Sequence, residues 1–379
     1  MSRVEELLAK YNPNGVFQLD LREVCNIIRG KRVTKRDIKE FGDYPVISGG
    51  ESPMGYYDTF NRNANTITIA QYGAAGYVDF QTNRFWANDV CYSILPFESV
   101  NNKYLYYTLK SKQSHIYSIR NTDAVPFSLP IDTLYSIKIP LPHIKVQEEI
   151  VKILDSFTNL IDALNEELSL RQKQFEYYRE KLLTFDDKSY SKTINEIGTL
   201  YRGNGLQKKD FVEEGIGCIH YGQIYTKLGF SLSKPLTFVT EDTARPLTKV
   251  RKGDLVIACT SENIEDVCKS VVWEGDDEIV TGGHACVFRH NENPRYIGYY
   301  FQTHQFFLQK KQYAYGAKVI DIKTEKLGEI LIPIPSKREQ NTIVEKLDAF
   351  ESLISSLKEE IALRQKQYEY YREKLLTFE

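Results

Sequence analysis

The sequence predicts an α+β chain in which two related mixed α/β domains are separated by two long antiparallel coiled-coil helices, a pseudo-twofold arrangement that closes into a circle. Three observations predict it. Sixteen residues occur twice, 193 positions apart: residues 170–185 read LRQKQFEYYREKLLTF and residues 363–378 read LRQKQYEYYREKLLTF. Apolar positions through and upstream of each copy keep a 3.5-residue spacing. The two remaining segments are rich in Gly, Tyr and short β-type runs. The expected boundaries are a helix tail with the first domain over 1–142, a first helix over 143–186, a second domain over 187–335 and a second helix over 336–379.

In chain order, the N-terminus reads as the tail of another helix copy. EELL (5–8) stands 25 residues before Arg29-Gly30, much as EKLL (180–183) stands 23 before Arg202-Gly203. The first domain then shows strand-type runs such as NTITIAQYG and VCYSIL, bounded by turn residues. A helical stretch, NKYLYYTLKS, follows near its end.

The first helix carries its apolar seam at Ile150, Leu154, Phe157, Ile161, Leu164, Leu168, Arg171, Phe175, Tyr178 and Leu182, in alternating steps of four and three. That period marks a coiled coil, interrupted once by an arginine. The second helix repeats it at Ile343, Leu347, Phe350, Ile354, Leu357, Ile361, Arg364, Tyr368, Tyr371 and Leu375. Pro142 and Pro335 precede the two starts, where a proline fits. About 40 residues at 1.5 Å rise make each helix roughly 60 Å long. A domain of about 145 residues has a radius of gyration near 14 Å and cannot carry the chain back along such a rod, so the pair is expected antiparallel.

The second domain contains DLVIACT, SVVW and HACVFR as strand runs and PRYIGYYFQTHQFFLQKK as helix. It is a diverged relative of the first: VCNIIRG resembles IGTLYRG, and DAVPFSLPIDTLYSIKIPLP meets GAKVIDIKTEKLGEILIPIP. Internal repetition on this scale is sought before fold is argued, because it fixes the architecture.

Composition narrows the function. With 49 basic and 51 acidic residues, any polyanion site must be a local patch. The six cysteines form no CxxC pair and are expected as reduced thiols of a cytoplasmic protein. No run approaches eighteen apolar residues, and the N-terminus lacks an apolar signal core, so no membrane association is expected. There is no GxxxxGK[ST] loop, no NPPY-type tetrapeptide and no HExxH pair. An acid and a lysine at DIK (37–39 and 321–323) are chance-level support for a nuclease. The chain is therefore expected to be no enzyme and to bind no cofactor or metal.

Two basic patches recur at matching places. RGKRVTKR supplies Arg29, Lys31, Arg32, Lys35 and Arg36, and YRGNGLQKKD supplies Arg202, Lys208 and Lys209. Their recurrence favours phosphate contact over an ordinary solvated face. Gln71 in AQYGAAG, Gln223 in HYGQI, Ser261 in CTSEN and Lys318 in YGAKV are expected on loops, offering groups that pair with base edges.

The whole chain resembles the specificity subunit of type I restriction-modification enzymes. The resemblance rests on the Arg-Gly opening of each domain, on IAQYGAAGYV and FWANDVCYSIL, on the IPLP and IPIP exits, and on QEEIVKILDSF followed by the repeated sixteen residues. Domain two departs at IACTSENIEDV, which lacks the two glycines. The resemblance implies target recognition domains that each read half of a bipartite double-stranded DNA site, and helices that space them and dock two methyltransferase subunits. It also implies that S-adenosylmethionine, ATP, methylation and cleavage belong to those subunits and to the restriction or translocase subunits. Two equivalent docking faces would explain why the helices repeat. Arg171, Tyr177, Tyr178, Arg179 and their copies Arg364, Tyr370, Tyr371, Arg372 are the expected docking residues. Competing readings are a stand-alone methyltransferase or nuclease, which would bind cofactor alone, and a coiled-coil scaffold without DNA affinity.

Overall fold

A computed structural model describes residues 3–123, 125–185 and 191–378; the expected boundary at 186/187 and the residues Met1 and Glu379 lie outside the described residues. The chain forms two compact units, Met1–Glu166 with Glu359–Glu379, and Glu167–Lys358. Each unit holds one domain and a stretch of both long helices, Ile144–Leu183 and Lys337–Leu376.

Seam positions separate from their neighbours by burial. Leu154, Leu347, Leu357 and Ile361 are buried, Phe157, Ile161, Leu164, Leu168, Phe175, Phe350, Ile354 and Tyr368 are half-buried, and most positions between them are exposed. In the first unit Phe157 stacks on Tyr371 at 5.4 Å, while Ile150 and Leu154, earlier in their helix, share a core with Leu375 and Leu376, later in theirs. That reversal makes the two stretches antiparallel. In the second unit Phe350 stacks on Tyr178 at 5.4 Å, and Ile343 and Leu347 share a core with Leu182 and Leu183. The same Phe–Tyr pair is thus made twice. The arginines that interrupt the seam are satisfied within their own helices: Arg171 bonds Gln174 at 3.0 Å and Glu167 at 3.4 Å, and Arg364 bonds Gln367 at 3.1 Å and Glu360 at 3.2 Å.

Domain one is built on a four-stranded antiparallel sheet in the order Cys25–Arg29, Cys91–Pro96, Thr66–Ala70, Val78–Gln81, with a three-stranded sheet beside it. Its entry strand Phe17–Asp20 pairs with its exit strand Lys138–Leu141. Domain two repeats the plan: Gly198–Arg202 pairs with Ala285–His290, and entry strand Ser191–Thr193 pairs with exit strand Leu331–Pro333. Its main sheet has five strands, and a second five-stranded sheet enlarges the three-stranded one of domain one, both containing one parallel pair, Ile216–Ile219 with Ile279–Thr281 and Tyr44–Ile47 with Trp86–Ala87. The strand-type runs and NKYLYYTLKS form the expected elements, while PRYIGYYFQTHQFFLQKK divides into two helices, Pro294–Tyr300 and His304–Tyr313, because Thr303 caps the second. The β-branched and aromatic residues of those runs fill the sheet faces, and all five of Thr66–Ala70 are buried.

Both domains are fastened to their long helix by the same bonds. Buried Gln147 donates to Pro142 O at 2.8 Å and accepts from Asn101 N at 2.8 Å; its copy Gln340 donates to Pro335 O at 2.9 Å and accepts from Asn293 N at 3.0 Å. Asp155 accepts from Tyr107 Oη and Lys103, both at 2.7 Å. Its copy Asp348 accepts from Tyr299 Oη at 2.6 Å and Arg295 at 2.9 Å. The asparagines also cap the domain helices Asn102–Ser111 and Pro294–Tyr300, so one residue ends a strand connection, starts a helix and meets the rod.

Candidate nucleic-acid interface

The Arg-Gly pair that opens each domain sits where two backbones touch. A side-chain carbon on Gly30 would lie 2.1 Å from Asn88 O, and one on Gly203 would lie 2.0 Å from Gly282 O, so both positions require glycine. The preceding Arg29 and Arg202 therefore end equivalent strands.

In domain one the loop after Arg29 is pinned through its backbone. Lys31 N donates to Ala87 O at 2.8 Å, Trp86 Nε1 donates to Lys31 O at 2.7 Å, and Val33 N donates to Asn88 Oδ1 at 3.0 Å. A turn closed by Asp37 follows; bonds from Thr34 hold that carboxyl below its usual range. The side chains stay outside. Among the described residues Lys31, Lys35 and Arg36 form no ion pair, Arg32 lies 3.9 Å from Asp89, and Arg29 rests over the Tyr92 ring at 5.8 Å. Tyr92 Oη bonds Leu129 O, and Leu129 N bonds Gln71 O, so Arg29, Gln71 and the Asn121–Ser128 bridge meet at one edge. Tyr72, next to Gln71, is 39% exposed there.

Domain two brings the matching residues to the matching edge. Arg202 bonds Asp321, and strand Ile320–Asp321 pairs with Thr260–Ser261. Lys318 stands exposed in the hairpin closed by Tyr315 and Asp321, and Lys208 and Lys209 are exposed in the 3-10 turn Lys208–Asp210 that follows Arg202. IACTSENIEDV lacks the two glycines, yet the pairing at this place is kept: Thr260 pairs with Asp321 as Tyr72 bridges Ser128 in domain one.

Three expected base readers do not stand on open loops. Gln223 lies in helix Tyr221–Thr226, where its buried amide accepts from His220 N at 2.9 Å and donates to Thr237 at 3.2 Å. Ser261 is a buried strand residue whose hydroxyl accepts from Asn263 N at 3.3 Å. Gln71 is buried at a strand end. A buried amide with both ends bonded is helix scaffolding, and only an exposed one can meet a base. Sequence reading also passed over Arg62, whose guanidinium bonds Ser93, Asn61 O and Arg29 O and so fixes the strand end. Nothing in local sequence marks it, because its partners lie up to 33 residues away.

The YYREK stretch divides by helix face. Tyr178 and Tyr371 stack in the seam, while Arg179 and Arg372 lie over Phe175 and Tyr368 with buried Nε groups. Arg171 and Arg364 are engaged as described. Tyr177 and Tyr370, 59% and 60% exposed, face outward, together with Leu170 and Leu363 at 58% and 65%.

Residues 14–170 and 191–363 match the model of the type I restriction modification DNA specificity domain. The chain belongs to this family. Among its relatives, a putative type I restriction enzyme specificity subunit of Haemophilus influenzae is 28% identical over 94% of each chain. The Escherichia coli EcoR124I/EcoR124II specificity subunit is 33% identical over 64% of this chain and 63% of its own. The crystal structure of a type I restriction-modification S subunit from M. genitalium shares the fold, with a TM-score of 0.64 and 18% identity over 96% of each chain. The two specificity domains are thus the two recognition domains, and their Arg-Gly edges carry the exposed cations. Among the described residues no helix is long and apolar enough to cross a membrane.

Proposed function

We propose that this chain is the DNA-reading, non-catalytic subunit of a type I restriction-modification complex in the cytoplasm. Each recognition domain reads one half of a bipartite target through its Arg-Gly edge. The long helices set the separation of the halves and dock two methyltransferase subunits, while cofactor chemistry and cleavage stay with partner subunits. The observation that carries this reading is the uneven duplication. The sixteen residues 170–185 and 363–378 are copied with one change, and the fastening residues Gln147 and Asp155 recur as Gln340 and Asp348, whereas the loops at the reading edges differ. A surface that meets two identical partners stays constant, and surfaces that meet different half-sites diverge.

In domain one the exposed cations of residues 29–36 contact phosphates. Changing Arg29, Lys31 and Arg32 to alanine in the assembled complex is expected to weaken binding to all duplexes alike. It should also flatten the slope of log K against log salt by roughly 0.9 for each phosphate that is no longer neutralised. Unchanged affinity and slope would reduce the patch to a solvated face.

Docking falls to the outward residues of the rod. Leu170→Asp with Tyr177→Asp is expected to weaken one methyltransferase site by about 30-fold or more, the scale of interface anchors. The assembled complex then carries one methyltransferase copy; adding Leu363→Asp and Tyr370→Asp leaves none. Mass determination that still finds two copies after all four changes would remove these residues from the interface.

A further inference from the structure

The two recognition domains hold an arginine at the same place and treat it differently. Arg29 lies over the Tyr92 ring, and the residue in register with Asp321 in domain one is Ser128. In domain two Asp321 Oδ2 accepts from Arg202 Nη2 at 3.2 Å, and Ile322 O accepts from Nη1 at 3.3 Å. Asp321 is itself immobilised. Its strand pairs with Thr260–Ser261, and its backbone exchanges bonds with Tyr315 at 3.0 and 2.8 Å to close the hairpin that carries Lys318. The Arg202 and Asp321 side chains are still 37% and 25% exposed, so the pair faces outward.

This arrangement suits one kind of target group. A guanidinium has five N–H donors in a plane; two are used here, which fixes that plane and leaves the others directed away from Asp321. The adjacent carboxylate cancels most of the charge that would draw the group to a phosphate. A phosphate also needs no fixed plane, whereas the O6 and N7 acceptors of guanine in the major groove match an oriented arginine fork. We propose that Arg202, positioned by Asp321, reads a guanine in the half-site that domain two recognises. Arg29, without a carboxylate partner, serves the less directional phosphate contact.

This inference rests on the reading of domain two as a DNA-binding domain. The test uses the complex assembled with methyltransferase subunits, and duplexes in which the half-site of domain two is randomised; bound DNA is sequenced. The unchanged protein is expected to select one invariant guanine. Arg202→Lys and Asp321→Asn each lower the preference at that single base pair by roughly 10- to 100-fold, the range of a bidentate base contact. Other positions and the salt slope stay as they were. Asp321→Asn preserves side-chain size, and thermal unfolding of each variant separates misreading from misfolding. The proposal is overturned if no guanine is selected, if affinity falls evenly over all sequences with a flatter salt slope, or if neither variant changes the selection. If exchanging the whole domain also leaves the target unmoved, the DNA reading fails with it. If the exchange moves half the target while Arg202→Lys and Asp321→Asn keep the guanine, this inference alone fails.

Discussion

Replacing residues 194–330 with the matching segment of another family member is expected to redirect one half of the DNA target and leave the other half unchanged. The cut falls just inside the pairing of Ser191–Thr193 with Leu331–Pro333, so the strands that tie the domain to the rod stay native. The incoming domain must supply what this one presents to the helices, including a capping asparagine, a tyrosine for Asp348 and a cation beside it, the roles of Asn293, Tyr299 and Arg295. Without specific recognition of half a site, affinity for the original target should drop by about a thousandfold, the low end of the gap between specific and non-specific binding. Competition binding against duplexes with one half-site altered at a time, with methyltransferase present, reads the result. An exchange that changes both halves, or neither, would contradict independent reading.

Acid should loosen domain two selectively, through His290. This residue ends a central strand, its Nδ1 accepts from Glu292 N at 3.1 Å, and its Nε2 is buried without a partner among the described residues. Burial pulls its pKa down from 6.5 to about 4, against the opposing pull of Asp254 and Glu292; Lys337 acts in the same direction as burial. The sign follows from the lowered value. The unfolded chain takes up a proton near pH 6.5 and the folded chain near pH 4, so His290 costs nothing above 6.5. Stability then falls between these limits by up to about 3 kcal/mol. In domain one the equivalent strand position is Pro96, paired with Cys25 as His290 pairs with Gly198, and the effect is absent. Chemical denaturation at pH 7.5 and pH 4.5 should show the difference, and His290→Phe should remove most of it. An equal loss in that variant would place the acid sensitivity elsewhere.

The parts of the fold that were legible in sequence are those written locally. A 3.5-residue apolar period needs only the helix itself, and it is spelled twice; strand runs such as TITIA and SVVW carry their own pattern. What escaped depends on partners distant in the chain. Gln71, Gln223 and Ser261 look like loop residues beside glycines, yet each is buried by strands and helices that no window around it contains. DIK at 321–323 has no meaning as a pair of charges; its aspartate matters because the chain brings Arg202 to it from 119 positions away. In the YYREK patch the division between helix faces was itself legible. Tyr178 and Tyr371 already stand on the seam spacing, so their place between the helices was present in the heptad phase, as was the outward place of the neighbouring Tyr177 and Tyr370.

The doubled Phe–Tyr stack also has a genetic side. Residues 170–185 and 363–378 differ at one position, so the stretches that encode them invite unequal recombination. A crossover between them deletes one helix's worth of rod and one recognition domain in a single event. The surviving helix still contributes a phenylalanine at one end and a tyrosine at the other, as Phe157 and Tyr178 do on the first helix. Two such shortened chains, set antiparallel, rebuild both stacks between them. On the proposed reading, in which each domain reads one half-site, such a pair would read a palindromic target, and refusion of the two copies would restore a bipartite one.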